Sequence, residues 1–498
     1  MSALRNKVAP GRQEPLTSAR TGLSRRIAIA GGTLALAALA ACSADPDPEV
    51  GPVLVRHDDA ELGILNDDAR EVVVAGEKLN VGLLRRFYAR HGFRRVWPTR
   101  QTQADSLANA VLHAGDHGLD PELFHASLLL RRETFPPLYR ELLLSDAFLS
   151  YADALARGAV PVERRRDNES LAPEPFDVAA ALDAAIDSPD PVAAIEALAP
   201  TTPAYRALRQ ALRTHRSRPP ARGRVTADRV REIEVNLERQ RWLPRSLPPD
   251  RVWVNVADQR LTLYRAGRPV FSTRVVVGDD AERKQSPEFR TMIEASFFNP
   301  PWVIPRDIVA TEILPRISRD PDYLTRNNMV MRTNGEVEQR AGPTAGLGVI
   351  MFDMPNRFDV YLHDTPNQQV FSRDNRRISH GCIRVQNPIE FAALLMQQPI
   401  DRINEGIATG STTRNTLATP VPVFVLYQTA FTDSDGTLQF RPDFYNRDDA
   451  IWRELQRRPY GRDPAAWADN RPASPLPSPE SGQPAPGQPE VRIADSRS

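Results

Sequence analysis

Apolar residues recur at two different periods along the chain, and the period changes near residue 250. Leu144, Phe148, Tyr151, Ala152 and Leu155 fall at i, i+4, i+7, i+8 and i+11, which predicts one buried face of a helix, with Gly158 as its stop signal. Leu83, Leu84 and Phe87 begin a shorter amphipathic helix that ends near Gly92, and Val230, Ile233 and Leu237 mark a helix face leading to Trp242. After Pro249 the spacing becomes two: Val252, Val254 and Val256 alternate with Trp253 and Asn255. Leu261 and Leu263 follow, then Ala266-Gly267 as a turn, then Val270 to Val277. That order is a strand meander rather than a βαβ alternation. Arg306 to Leu314 reads as a helix inserted among the strands, and Val360 to His363 and Val421 to Tyr427 read as later strands. Asn387-Pro388-Ile389-Glu390 carries helix-start signals: a capping residue, proline at the first position and an acid at the third. The expected class is α+β, helical first and mostly antiparallel β second.

Composition adds boundaries. The 498 residues leave room for several domains. Ser217 to Arg224 is a proline- and arginine-rich break, so a helical domain over 61–216 is expected to pass through a linker and connecting helix (217–250) into the strand-rich domain (251–448). Residues 449–498 form an extension, disordered from about 471, where proline crowds the sequence. A net charge of +1 argues against a nucleic-acid-binding protein. Two cysteines, Cys42 and Cys382, exclude a disulfide framework and a four-cysteine zinc site. No metal ligands cluster, and nothing in the sequence suggests a cofactor.

The N-terminus reads as an export signal. Basic residues up to Arg26 precede Ile27 to Ala41, an uncharged run shorter than the ~20 apolar residues of a spanning helix. The exit Leu39-Ala40-Ala41-Cys42 resembles a bacterial lipoprotein box, which implies a signal over 1–41, lipidation of Cys42 and a tether over 42–60. Ser24-Arg25-Arg26 resembles a twin-arginine signal, though the usual following Phe and Lys are absent. Ser43 fits sorting to the outer rather than the inner membrane, so the expected location is the periplasm, lipid-anchored to the envelope. Cys382 is then the one thiol of the mature chain.

Cys382 sits in Ser379-His380-Gly381-Cys382-Ile383-Arg384-Val385, just before the capped helix. Glycine beside a thiol lets backbone N–H groups approach a bound carbonyl, and a thiolate near imidazole is a nucleophile. After His215 the chain has only His363 and His380, both close in sequence to that thiol. Period two puts Asp359, Tyr361 and His363 on one strand face. Taken singly, a strand histidine is more often a surface or core residue than a base, and a cysteine is by default a small buried hydrophobe. Their joint occurrence with Gly381 and Arg384 favours catalysis.

The Ser-His-Gly-Cys-Ile-Arg-Val run with an upstream strand histidine resembles the catalytic signature of the L,D-transpeptidases (YkuD type). Asn356-Arg357 through Pro366, Asn236-Leu237-Glu238-Arg239 with Trp242, and Asn299 to Pro305 resemble the larger periplasmic branch of that family. Phe87 to Trp97 and His117-Gly118-Leu119-Asp120 resemble its N-terminal scaffold domain. The resemblance implies a helical scaffold followed by a sandwich- or barrel-like catalytic domain with a helical lid insert over about 302–346. It implies that Cys382 attacks a tetrapeptide stem of peptidoglycan and that His363 is the general base and acid. Gly381 and Cys382 backbone N–H groups and the Tyr361 hydroxyl would meet the oxyanion. His380 would orient, Arg384 would position substrate or loop, and Trp302 and Ser379 would bind substrate. A second stem's amine would resolve the thioester into a 3→3 cross-link, so donor and acceptor stems are the expected partners. The small peptidoglycan-binding module common in this branch is expected to be missing or degenerate, because only Ser217 to Arg224 separates the scaffold-like part from the Asn-Leu-Glu-Arg helix.

Several readings compete. Water could resolve the same acyl-enzyme, making a carboxypeptidase or endopeptidase, or the acceptor could be an outer-membrane protein. A lipid-anchored, non-catalytic wall-binding scaffold would be expected to have lost the nucleophile or base, and both are present. A papain-like peptidase would place cysteine before histidine, the reverse of the order here.

Overall fold

The computed structural model describes residues 62–65, 71–217, 224–433 and 435–457. The expected signal, the tether, Cys42 and the proline-rich tail lie outside the described residues. The helical half is built from α1 (Val81–Arg90), α2 (Gln101–Leu112) and α3 (Pro137–Arg157), with further helices around them. α3 ends at Gly158, and both faces of its centre are buried. It is therefore the central strut of the half and not a surface amphipath. α4 (Arg224–Arg241) runs from this half toward the strands, and Ile233, Val235, Leu237 and Trp242 sit in the helical core. No helix among the described residues is long and apolar enough to cross a membrane.

Nine strands form the main sheet: β1 (Arg251–Asn255), β2 (Arg260–Arg265), β3 (Arg268–Gly278), β4 (Phe289–Phe298), β5 (Ile350–Asp353), β6 (Leu362–His363), β7 (Arg377–Ser379), β8 (Ile383–Val385) and β9 (Thr413–Leu426). The ladder β3-β8-β6-β5-β4-β9-β1-β2 returns to β3, so eight strands close into a barrel and β7 adds to it through β3. Closure leaves the ring no free edge. The β9–β1 and β6–β8 pairs inside the ring are parallel, and the other six are antiparallel. The hairpin β2–β3 turns at Ala266-Gly267, both at positive φ, the geometry that follows strand twist. The barrel interior is apolar, with Val252, Val254, Val275, Phe352, Leu362, Ile383 and Phe391 among its buried side chains. Phe391 comes from α5 (Pro388–Met396); Asn387 precedes it without a side-chain capping bond.

Strand β9 belongs to two cores. Val423 and Val425 point into the barrel, while Phe424 and Leu426 join the helical core. Successive strand residues face opposite sides, so one strand serves both. α4 reinforces the junction. Asn236 exchanges side-chain bonds with Thr429, at 2.7 Å to its hydroxyl and 3.1 Å from its N–H. Arg239 pairs with Asp448 at 2.5 Å, and Glu238 accepts from the Val160 N–H at 2.7 Å. Between β4 and β5 the insert contains the expected helix, Arg306 to Ile317 with a π-helical stretch at Val309–Ile313. Beside it lies a three-stranded antiparallel sheet (Trp302–Ile304, Met329–Met331, Val337–Gln339) that the sequence pattern did not announce. The insert has its own small core of Ile304, Ile308, Val309, Ile313 and Val337.

Candidate active site

The site forms where two short parallel strands meet. β6 and β8 pair with Leu362 opposite Ile383 and His363 opposite Arg384. Leu362 and Ile383 are in the barrel core, so His363 and Arg384 face outward, with Tyr361 and Cys382 two residues back on the same side. Ile383 N–H donates to Tyr361 O at 2.9 Å, which continues the ladder to the level of the thiol. The expected strand over 360–363 is shorter than anticipated, because Asp359 adopts φ 52° and breaks the extended run.

Cys382 is half-buried and unbridged. Its Sγ lies 3.9 Å from Asp359 O, and no hydrogen bond to His363 is found among the described residues. Burial pushes the thiol up, the Tyr361 N–H and Arg384 draw it down, and Asp359 opposes them, so the resting group is the neutral thiol. His363 is buried, and its Nδ1 lies 2.6 Å from Asp364 O. That carbonyl assigns the ring proton to Nδ1, leaving Nε2 as the basic nitrogen. Burial, then Arg384, lower the imidazole to about 4, against the carbonyls of Asp364 and Leu347. A neutral imidazole and a neutral thiol on one face can exchange a proton as attack begins.

The loop between β7 and β8 is pinned from several sides. Gly381 has φ 115°, open only to glycine. Its N–H donates to Ser379 Oγ at 3.1 Å, and the same hydroxyl donates to Cys382 O at 2.6 Å. Two expectations are corrected here. The Gly381 N–H is already committed to Ser379 Oγ and is not free as an oxyanion donor, whereas the Cys382 N–H has no acceptor among the described residues. Ser379 is buried and spends its hydroxyl holding the loop, so it does not face a substrate. The Tyr361 hydroxyl is pushed up to about 12 by burial, Asp359 and Cys382 in that order, which keeps it a proton donor. Arg384 is lowered by burial, and its Nε has no hydrogen-bond partner. His380 Nε2 lies 2.7 Å from Glu312 Oε1 of the insert, off the hydrogen-bond direction. Trp302 is partly buried against the insert's core with its ring on Gly346, where a Cβ would come within 3.0 Å, so packing accounts for it. Glu312 lacks a sequence signal. No group of three or more His, Cys, Asp or Glu suited to a metal occurs among the described residues.

Comparison with known proteins adds a family to this geometry. Residues 249–433 match the L,D-transpeptidase catalytic domain (YkuD), and residues 82–212 match the scaffold domain. A curated Haemophilus influenzae protein, provisionally described as an L,D-transpeptidase, is 30% identical over 245 residues, 45% of this chain and 49% of its own. The chain thus spans about half the length of that relative. Among solved structures, an L,D-transpeptidase from Mycobacterium smegmatis is 13% identical, covering 36% of this chain and 58% of that one, with a TM-score of 0.20. The catalytic domain of the E. faecium L,D-transpeptidase acylated by ertapenem is 14% identical, covering 36% of this chain and 99% of that one, also at 0.20.

Proposed function

We propose that this chain, which carries an L,D-transpeptidase catalytic domain behind a scaffold domain, cross-links peptidoglycan stem peptides 3→3 through a thioester on Cys382. The observation that carries the reading is the shared outer face of β6 and β8, with Tyr361, His363, Cys382 and Arg384 side by side. His363 Nε2 removes the thiol proton as Sγ attacks the carbonyl of the third stem residue. The tetrahedral oxyanion is met by the Cys382 N–H and the Tyr361 hydroxyl. Collapse breaks the peptide bond, the imidazolium gives its proton to the leaving amine, and D-alanine departs. The side-chain amine of a second stem then attacks the thioester, loses a proton to His363 and restores the thiol. Sγ must first rotate away from Asp359 O. Arg384 stands opposite His363 on this face, and its guanidinium suits the terminal carboxylate of the donor stem.

The N-terminal box adds a location to this reading: Cys42 as a lipidated residue in the periplasm, at the outer membrane, holding the enzyme against its substrate. The deciding experiment incubates purified protein with tetrapeptide-rich wall and resolves the products by mass spectrometry. Dimers joined 3→3 are expected from the wild type and none from Cys382→Ala. Tripeptide monomers alone would make it a carboxypeptidase. Dimers formed equally by the Ala variant would overturn the assignment.

A further inference from the structure

The Gly381–Cys382 peptide is held by a residue outside every motif discussed so far. Ser286, in the segment between β3 and β4, is fully buried, and its hydroxyl donates to Gly381 O at 2.7 Å. The same oxygen accepts from the Gly278 N–H at 2.9 Å, so the hydroxyl is directed from both ends. Its backbone is clamped as well. Arg447 donates to Ser286 O at 2.8 Å, and the Ser286 N–H reaches the Tyr445 hydroxyl at 3.3 Å. That hydroxyl in turn donates to Gly278 O at 2.6 Å. The segment lies so close to β3 that a Cβ on Gly278 would stand 1.9 Å from Lys284 O.

A trans peptide is planar, with its C=O and N–H pointing in opposite directions. Fixing Gly381 O therefore fixes the direction of the Cys382 N–H, the one main-chain polar group of Gly381 and Cys382 without an acceptor among the described residues. We propose that Ser286 is a positioning residue: it aims the Cys382 N–H at the oxyanion without touching substrate. The inference rests on the transpeptidase reading and deepens it. Oxyanion donors act by being preorganised, and loss of one costs ~10²–10³ in rate. A donor left in place but free to tilt should cost less.

Two reagents separate this role from simple support of the fold. A carbapenem acylates the thiol through a tetrahedral oxyanion, whereas iodoacetamide alkylates it by displacement and forms none. Both are followed by mass at Cys382 in the purified protein. Ser286→Ala is expected to slow acylation by about 10–100-fold and leave alkylation within about twofold of wild type. Ser286→Thr, which keeps the hydroxyl, is expected to recover most of the acylation rate. Acylation at the wild-type rate in Ser286→Ala, or equal slowing with both reagents, overturns the proposal. If the Ala variant does not fold, Tyr445→Phe must show the same split between reagents, and an equal loss there overturns it too. A wild-type protein that alkylates at Cys382 but never acylates sinks the transpeptidase reading itself, and this inference with it.

Discussion

Glu312 and His380 meet at 2.7 Å across the gap between the insert and the loop that carries Cys382. Each side chain is about a third exposed (33% and 31%), so solvent screens the pair and its contribution is on the order of 1 kcal/mol or less. It is nevertheless a direct polar link from the insert's π-helical stretch to the nucleophile loop. Glu312→Ala should speed amide hydrogen exchange over 306–317 by about fivefold or less, the factor that ~1 kcal/mol allows. Exchange in β3 and β9 should not change. Unaltered exchange in the insert would show that its apolar contacts alone hold it down.

His363 predicts two pH effects. Its folded-state value, about 4, lies below the ordinary 6.5, so the unfolded chain binds more protons between those values. The stability it contributes is complete above about pH 6.5 and is lost as the pH falls toward 4. The loss totals about 3 kcal/mol. Urea midpoints measured from pH 7 to pH 4 should fall accordingly in the wild type and less in His363→Gln. In the same range, carbapenem acylation should hold level until an acid limb near 4; a limb at 6.5 would mean that His363 is not shielded as described.

Arg447 is fully buried beside Glu288 at 3.3 Å, with Glu169 at 4.0 Å. Removing one partner of such a pair strands the other charge in a poorly solvating interior, at about 3–5 kcal/mol. Arg447→Met should lower the urea midpoint by that equivalent. Adding Glu288→Gln should recover part of the loss, because the stranded carboxylate is then gone. No recovery in the double variant would place the damage in packing against Tyr427 and Tyr445 instead.

Cys382 is small and half-buried, and its one polar contact is the long one to Asp359 O. Cys382→Ala should leave the thermal midpoint nearly unchanged, within the roughly ±0.5 kcal/mol typical of such positions. It should abolish mass addition by a carbapenem. A large drop in midpoint would reveal a structural thiol.

The hairpin at Ala266-Gly267 and the long helix ending at Gly158 were legible because period and turn chemistry are local. Cys382 and His363 stood out in the sequence for another reason: cysteine and histidine are scarce residue types in this chain, and these two lie close together. The break at Ser217 to Arg224 makes α4 look like a mere connection, yet its Asn236, Glu238, Arg239 and Arg241 are buried by partners distant in sequence. Ser286 and Gly381 are 95 residues apart and meet only because β3 and β8 pair. No periodicity encodes that. The donor role given to Gly381 failed for a similar reason, since the sequence does not say which neighbouring hydroxyl will claim an N–H.

The double allegiance of β9 also sets an order of events during synthesis. The helical half emerges from the ribosome first, but Phe424, Leu426 and Ile451 of its core arrive only with the last part of the described chain. At ~5–20 residues per second, the wait between Leu243 and Phe424 is on the order of ten to forty seconds. Throughout it, the first half has an apolar face with nothing to cover it. The helical half therefore completes its core only once β9 and Ile451 are in place, so the two halves mature as one unit in whichever compartment the chain folds.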